Sequence, residues 1–155
     1  MTPPANPVDT IISLLTDNMY VVKEDTNIAA ILISAEWYDR EFLKNHDGQI
    51  TVGLESSTDQ KLELAGRLRR RNLLFRCTAF TVDKSAPGSD PGKMMRDKIV
   101  AEINRIIREN RNNPGAPLAY LDVNGYKLVD VTDVKPYVYR AEFQLKGWLI
   151  ETLSS

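Results

Sequence analysis

The sequence predicts an α+β fold, in which a mixed, mainly antiparallel sheet packs against two α-helices in a single domain. Three observations carry this prediction. Apolar residues recur at helical spacing near the start of the chain and again over 91–112, and in several other segments they alternate with polar residues. The length of 155 residues suffices for one domain with a sizeable core and is short for two.

The first helix is predicted to begin at Pro7, with Asn6 as its N-cap residue. Its apolar stripe falls at spacings of three and four residues, and Asp17-Asn18 is expected to end it. The stripe consists of Val8, Ile11, Ile12 and Leu15.

Several strands are predicted before the second helix. Residues 19–22 and 28–34 are short apolar runs typical of strands, although the second run also fits a helix. Alternation at Ile50, Val52 and Leu54 predicts a half-buried strand. Residues 72–83 predict a strand covered on both faces, followed by a loop over 84–90.

The second helix shows the clearest pattern in the chain. Asp90 is a suitable N-cap with Pro91 at the first helical position, and the segment Asn110–Pro114 is expected to end the helix before Gly115. The predicted buried stripe is Met95, Ile99, Ile103, Ile106 and Ile107.

Three strands are predicted after this helix. Leu118–Val123 and Tyr126–Val131 flank Asn124-Gly125, the dipeptide that most favours a type I′ hairpin turn. A long alternating strand begins at Tyr137, with a β-bulge expected at Gly147 before Trp148.

Composition excludes several kinds of site. The single cysteine, Cys77, excludes an intrachain disulfide and an all-cysteine zinc site, and the single histidine, His46, excludes any site that needs two. No signal peptide is expected at the N-terminus, and no apolar run reaches the roughly 20 residues of a membrane helix.

Charge is distributed unevenly along the chain. Residues 1–60 hold 3 Lys and Arg against 10 Asp and Glu, whereas residues 61–111 hold 13 against 6. Such segments can form opposite patches that join copies of the chain, or they can neutralise each other within one monomer.

No motif predicts an enzyme. The segment Pro87–Met94 lies where a phosphate-binding loop would, but Pro87 stands in place of the required glycine and Met94 in place of the hydroxyl residue. Cys77 fits a buried apolar residue, His46 a loop residue, and Asp39 with Glu41 a surface patch. We therefore expect no catalytic residue, no cofactor and no metal site.

The candidate interaction site is a basic cluster. Together with Lys61, this cluster lies in a stretch of sequence in which Glu63 is the one acidic residue. Such a cluster favours binding to phosphate or to an acidic protein surface. Most of it belongs to a predicted loop or projecting hairpin, the basic arm (residues 56–71), expected to be ordered by a neighbouring subunit. The residues are Arg67, Arg69, Arg70, Arg71 and Arg76.

The order of these elements resembles a known family. The strand at 49–57, the arginine-rich approach to the strand at 73–83, the helix at 91–112 and the closing strand at 139–148 are similar to those of the tail-terminator and tail-completion proteins of long-tailed phages and related archaeal viruses. The resemblance covers residues 45–152 and fits residues 19–45 least well.

This resemblance implies a structural virion protein, made in the host cytoplasm and located in the tail or neck. It implies a ring, six-fold in this family, that ends the tail tube, binds the tail-tube and head–tail connector proteins, and involves no membrane. The basic arm would then meet the acidic first third of an adjacent subunit or line a channel and contact packaged DNA. Two alternatives stay open: a small nucleic-acid-binding accessory protein that uses residues 61–76, and a sister tail-tube or neck adaptor protein.

Overall fold

The computed structural model of the protein describes residues 6–19, 31–35, 48–62, 68–83, 92–133 and 137–152. Within them lie two helices and five strands. The helices are α1 (Pro7–Asn18) and α2 (Gly92–Glu109). The strands are β1 (Leu32–Ala35), β2 (Gln49–Lys61), β3 (Leu68–Val82), β4 (Tyr120–Val131) and β5 (Val138–Thr152).

The strands form one mixed sheet in the order β1-β2-β3-β5-β4. β1 pairs with β2 in parallel, and every other neighbouring pair is antiparallel. The α+β prediction is therefore confirmed. β3 and β5 lie in the interior of the sheet, while β4 forms an edge.

Helix α1 begins as predicted. The side chain of Asn6 accepts a hydrogen bond from the amide of Val8, and Pro7 occupies the first turn. The predicted stripe residues Val8, Ile11 and Leu15 are buried together with Leu14, and the helix ends at Asn18.

Helix α2 buries the whole of its predicted stripe against the sheet. The proposed N-cap, Asp90, lies outside the described residues. The first described amide of the helix, that of Gly92, donates to Asp83 Oδ1 at 2.7 Å, and the other oxygen of Asp83 accepts from the Tyr139 hydroxyl at 2.9 Å. Asp83 thus fixes the start of α2 on β5.

The main core lies between the helices and one face of the sheet. Ile50, Phe75, Phe143 and Leu145 are fully or almost fully buried there. At the end of the sheet where β2 begins, the opposite face is buried too. The buried residues there are Gln49, Thr51, Thr78 and Phe80. Two-sided burial of residues 72–83 was predicted, but the half-buried pattern expected for residues 50–54 was wrong for the first residues of β2.

The hairpin predicted at Asn124-Gly125 is wrong. β4 runs through both residues without turning, and its register with β5 shifts between Val123 and Gly125. Asn124 is the extra residue of a β-bulge, and its side chain donates to Gln144 on β5. Two strands therefore follow α2, not three. Glycine favours bulges as well as turns, and the sequence alone did not separate the two.

The bulge predicted at Gly147 is also wrong. β5 keeps its register at this residue, which lies opposite Leu73 on one side and Leu121 on the other. A glycine stands there because the backbone of β4 approaches it closely. A Cβ atom at Gly147 would lie 2.5 Å from the carbonyl oxygen of Tyr120.

The basic arm contains paired strands where the sequence left open a loop or a hairpin. Lys61 lies opposite Arg69, and Asp59 lies opposite Arg71. β3 is also paired on its other side as far as Leu68, because the C-terminal part of β5 runs beside it and places Glu151 opposite Arg69. The arm is thus part of a three-stranded extension of the sheet.

Candidate functional site

The described arginines of the basic cluster point to different faces of this extension. Alternation along β3 places Arg69 and Arg71 on the face that carries Leu73 and the helices, and Arg70 on the other face. Arg76 lies farther along β3 and is exposed. Arg67 lies outside the described residues.

Three of these arginines have acidic partners within the chain. Arg71 lies 3.1 Å from Glu151 and also donates to the Ser57 hydroxyl, Arg69 lies 3.9 Å from Asp59, and Arg76 lies 3.2 Å from Glu55. All three pairs are partly exposed, so each contributes little to stability. They nevertheless offset much of the positive charge that the sequence alone attributes to the cluster.

Arg70 has an aromatic partner. Its guanidinium lies 3.8 Å from the ring centre of Trp148, which in turn stacks on Tyr120 with ring centres 4.1 Å apart. Arg70 Nε also donates to Asn72 Oδ1 at 2.9 Å. This stack crosses β3, β5 and β4, so it fastens the base of the extension together. The tyrosine hydroxyl donates to Asp122, and this bond raises the pKa of Tyr120.

A groove of about 590 Å³ separates the C-terminal half of α2 from β4. Two arginines line it, Arg108 in the last turn of α2 and Arg111 just beyond the helix. Both are exposed, and neither guanidinium forms an ion pair or hydrogen bond with the described part of the chain. The carboxylate in the groove, Asp122, already accepts from the Tyr120 hydroxyl and from the Val123 amide. Two arginines and one carboxylate line the groove, so its net charge is positive.

The outer surface of α1 has the opposite character. Asp9 and Asp17 are exposed there, and the helix contains no lysine or arginine. Both line a shallower groove of about 450 Å³ between α1 and residues 114–116. Neither carboxylate has an ion-pair partner among the described residues. We call this the acidic face of α1.

The edge formed by β4 carries exposed apolar side chains. Tyr126 and Leu128, opposite Phe143 and Ala141, are 50% and 48% exposed. Lys127 pairs with Glu142, and Asp130 pairs with both Lys93 and Arg96, while Asp122 accepts hydrogen bonds from Tyr120 and Val123. No described strand lies on the outer side of β4.

Arg96 is a buried charge on α2. Its side chain is 6% exposed and donates to Asp130, with the carbonyl oxygens of Val129 and Arg140 also in reach. The Arg96 guanidinium, aided by Lys93, lowers the pKa of Asp130. This contact holds the first turns of α2 on β4.

The residues considered as candidates for catalysis or metal binding do not come together in the described part of the structure. His46, Asp39, Glu41 and Pro87 lie outside them, and Met94 is an exposed residue of α2. Burial raises the pKa of the Cys77 thiol to about 12. Among the residues in view, no three His, Cys, Asp or Glu side chains could hold a metal ion, and no helix is long and apolar enough to cross a membrane.

No protein-family model matches the sequence, and no curated protein matches it. Among solved structures, the chain is similar to the sheath/tube terminator of the PVC extracellular contractile injection system in its extended state. The TM-score is 0.43 and the sequence identity 10%. The alignment covers 99% of this chain and 59% of that one, so this chain spans about three fifths of the length of that protein.

Sequence reasoning did not single out Arg108, Arg111 or the acidic face of α1. One pattern could have found them. Arg105 has glutamates three residues before and four after it and pairs with both, whereas Arg108 and Arg111 have no acidic residue three or four positions away. The uneven charge along the sequence showed where basic residues are in excess. It did not show which of them lack an ion-pair partner among the described residues.

Proposed function

We propose that this protein is a structural, non-catalytic subunit that joins copies of itself into a ring at the end of a tail-like tube. The edge of β4 is the observation that carries the self-assembly. The tail-end location is supported by the order of elements that resembles tail-terminator and tail-completion proteins.

The β4 edge favours assembly for a physical reason. An edge strand presents backbone groups that can pair with another chain, and monomeric proteins usually cover such edges or place unpaired charge on them. On β4 the charged side chains have partners within the chain, and the apolar side chains of Tyr126 and Leu128 are half exposed. Contact with a second copy would cover these side chains.

In this proposal the further partners are the tube protein below the ring and the connector proteins above it. The distal end of the extension, formed by the ends of β2, β3 and β5, is one surface available to them. Its arginines are largely paired with Asp59 and Glu151, and this favours a protein contact over the accessory nucleic-acid-binding role.

Native mass spectrometry over a concentration series tests the self-assembly. We expect ring-sized oligomers, six-fold in number, and we expect Leu128→Lys to shift them towards monomer. Ile150→Lys is the matched control, because Ile150 is equally exposed (47%) but lies on β5 beyond the end of its pairing with β4. A chain that stays monomeric at high concentration and occurs once per purified particle would contradict the proposal.

The location is tested separately by immunogold electron microscopy of particles purified from producing cells. We expect label at one end of the tube. Label along the whole tube would instead support a tube subunit.

The non-catalytic part of the proposal has its own test at residues 87–94. Calorimetry with ATP or GTP and Mg²⁺ should show no binding. Micromolar affinity for either nucleotide would restore the enzyme hypothesis.

A further inference from the structure

We propose that the acidic face of α1 of one copy docks in the α2–β4 groove of the next, so that Asp9 and Asp17 meet Arg108 and Arg111. This inference rests on the proposed self-assembly and names the two surfaces that would form the contact.

Unpaired charge is the first argument. Ion pairs within the chain offset most charges on the described sheet and on α2, including Arg105 with Glu102 and Glu109. Arg108 and Arg111 have no ion-pair partner in the described part of the chain, and the nearby carboxylate of Asp122 already accepts two hydrogen bonds. On α1, a helix without a basic residue, Asp9 and Asp17 likewise have no ion-pair partner among the residues that the structure describes. Each surface thus lacks the charge that the other carries.

Polar complementarity is the second argument. Between Asp9 and Asp17, which are about 12 Å apart along the helix axis, the acidic face exposes the hydroxyl groups of Ser13 and Thr16. The groove offers the side-chain amide of Asn104 as a partner for such groups. The polar and acidic side chains of the helix are complementary to a polar, basic groove, and this favours docking of the helix there.

The two surfaces share no residue, so one copy can engage two neighbours at once. When its acidic face meets one neighbour and its groove meets another, the contact is heterologous. Such head-to-tail contacts close into a ring when the rotation between copies permits. The groove also borders Tyr126, so a docked neighbour would approach the exposed edge of β4.

Charge reversal tests this contact. We expect Arg108→Glu/Arg111→Glu to lower the association constant of the copies at least ~10-fold, measured by sedimentation velocity. Asp17→Lys should act in the same direction. It is preferred to a change at Asp9, which lies in the first turn of α1, where a carboxylate stabilises the helix.

The decisive sample is an equimolar mixture of the two variants. Each keeps one native surface, so native contacts alternate with contacts of reversed charge, and we expect the mixture to assemble better than either variant alone. Lys61→Glu/Lys146→Glu makes the same charge change on exposed residues of β2 and β5, outside the groove, the acidic face and the edge of β4, and it should assemble like the unmodified protein.

The outcomes separate this inference from the proposed function. If the unmodified protein assembles and the groove variant assembles equally well, the docking is wrong and the self-assembly stands. If the groove variant also loses binding to a polyglutamate peptide while assembling normally, the groove belongs to another acidic partner and the docking is again overturned. If the unmodified protein is monomeric under every condition and single-copy in particles, both fail.

Discussion

Gly147 packs against the backbone of Tyr120 so closely that a Cβ atom at Gly147 would lie 2.5 Å from the Tyr120 carbonyl oxygen. A second glycine in the same pair of strands has no such neighbour. Around Gly125, at the β4 bulge, no heavy atom would lie within 4 Å of an added Cβ. The two positions form a matched pair.

We predict that Gly147→Ala destabilises the protein by about 2 kcal/mol, because β4 must move away from β5 to admit the methyl group. Gly125→Ala should change the free energy of unfolding by less than about 0.5 kcal/mol. Urea denaturation of both variants measures the difference. Equal effects would show that β4 does not approach Gly147 in this way.

Arg70 should contribute to folding more than its neighbours in the basic cluster. We predict a coupling of about 1 kcal/mol between Arg70→Ala and Trp148→Leu in a double-mutant cycle, because the guanidinium lies 3.8 Å from the centre of the indole ring. Arg76→Ala removes an exposed pair with Glu55 and should cost about 0.5 kcal/mol or less. Additive effects of the Arg70 and Trp148 changes would contradict the stack.

Asp130 should make stability depend on pH. Arg96 lowers the pKa of this carboxyl in the folded protein, so its contribution is fully present above the ordinary carboxyl pKa of about 4 and is lost as the pH falls through the lower folded value. We predict that Asp130→Asn destabilises the protein at pH 7 and that the difference from the unmodified protein shrinks below about pH 4.

Urea unfolding at several pH values checks this. Asp97→Asn is the control, since it removes an exposed carboxylate from α2 that has no ion-pair partner among the described residues. A difference for Asp130→Asn that stays constant down to pH 2 would argue against the Arg96 contact.

Cys77 offers a single chemical probe of the core. Cys77 is fully buried on β3, between β2 and β5, so a reagent cannot reach its thiol. Burial also raises the pKa of the thiol to about 12, so little reactive thiolate is present at pH 8. We predict that a thiol reagent such as DTNB labels the folded protein at least ~100-fold more slowly than the urea-unfolded chain. Fast labelling of the folded protein would reveal local opening of the sheet.

The helices could be predicted from the sequence because their determinants are local. A cap at Asn6, a proline at the first position and an apolar stripe of Ile99, Ile103 and Ile106 fix a helix without reference to the rest of the chain. The strands differ in this respect. Whether Asn124-Gly125 turns or bulges depends on β5, which begins 13 residues later and pairs with β4 on both sides of the bulge.

The candidate site depended even more on tertiary contacts. The sequence located an excess of arginine but could not show that Glu151, 80 residues away, lies beside Arg71, or that Trp148 covers Arg70. It also could not show that Arg108 and Arg111 lack an ion-pair partner among the described residues, since this depends on which side chains the fold brings near them. Whether a charged side chain has a partner depends on the folded structure, so the basic groove could not be identified from the sequence.

The length and continuous pairing of β3 and β5 have a mechanical consequence. Each strand runs unbroken for 15 residues, about 50 Å, from the helix-covered core to the distal end of the extension, and the two are paired along their whole length. A force that pulls β3 and β5 in opposite directions along the strands would load this entire ladder in shear, and many hydrogen bonds would share it at once. We therefore expect the extension to move as one body with the part of the sheet that packs against the helices.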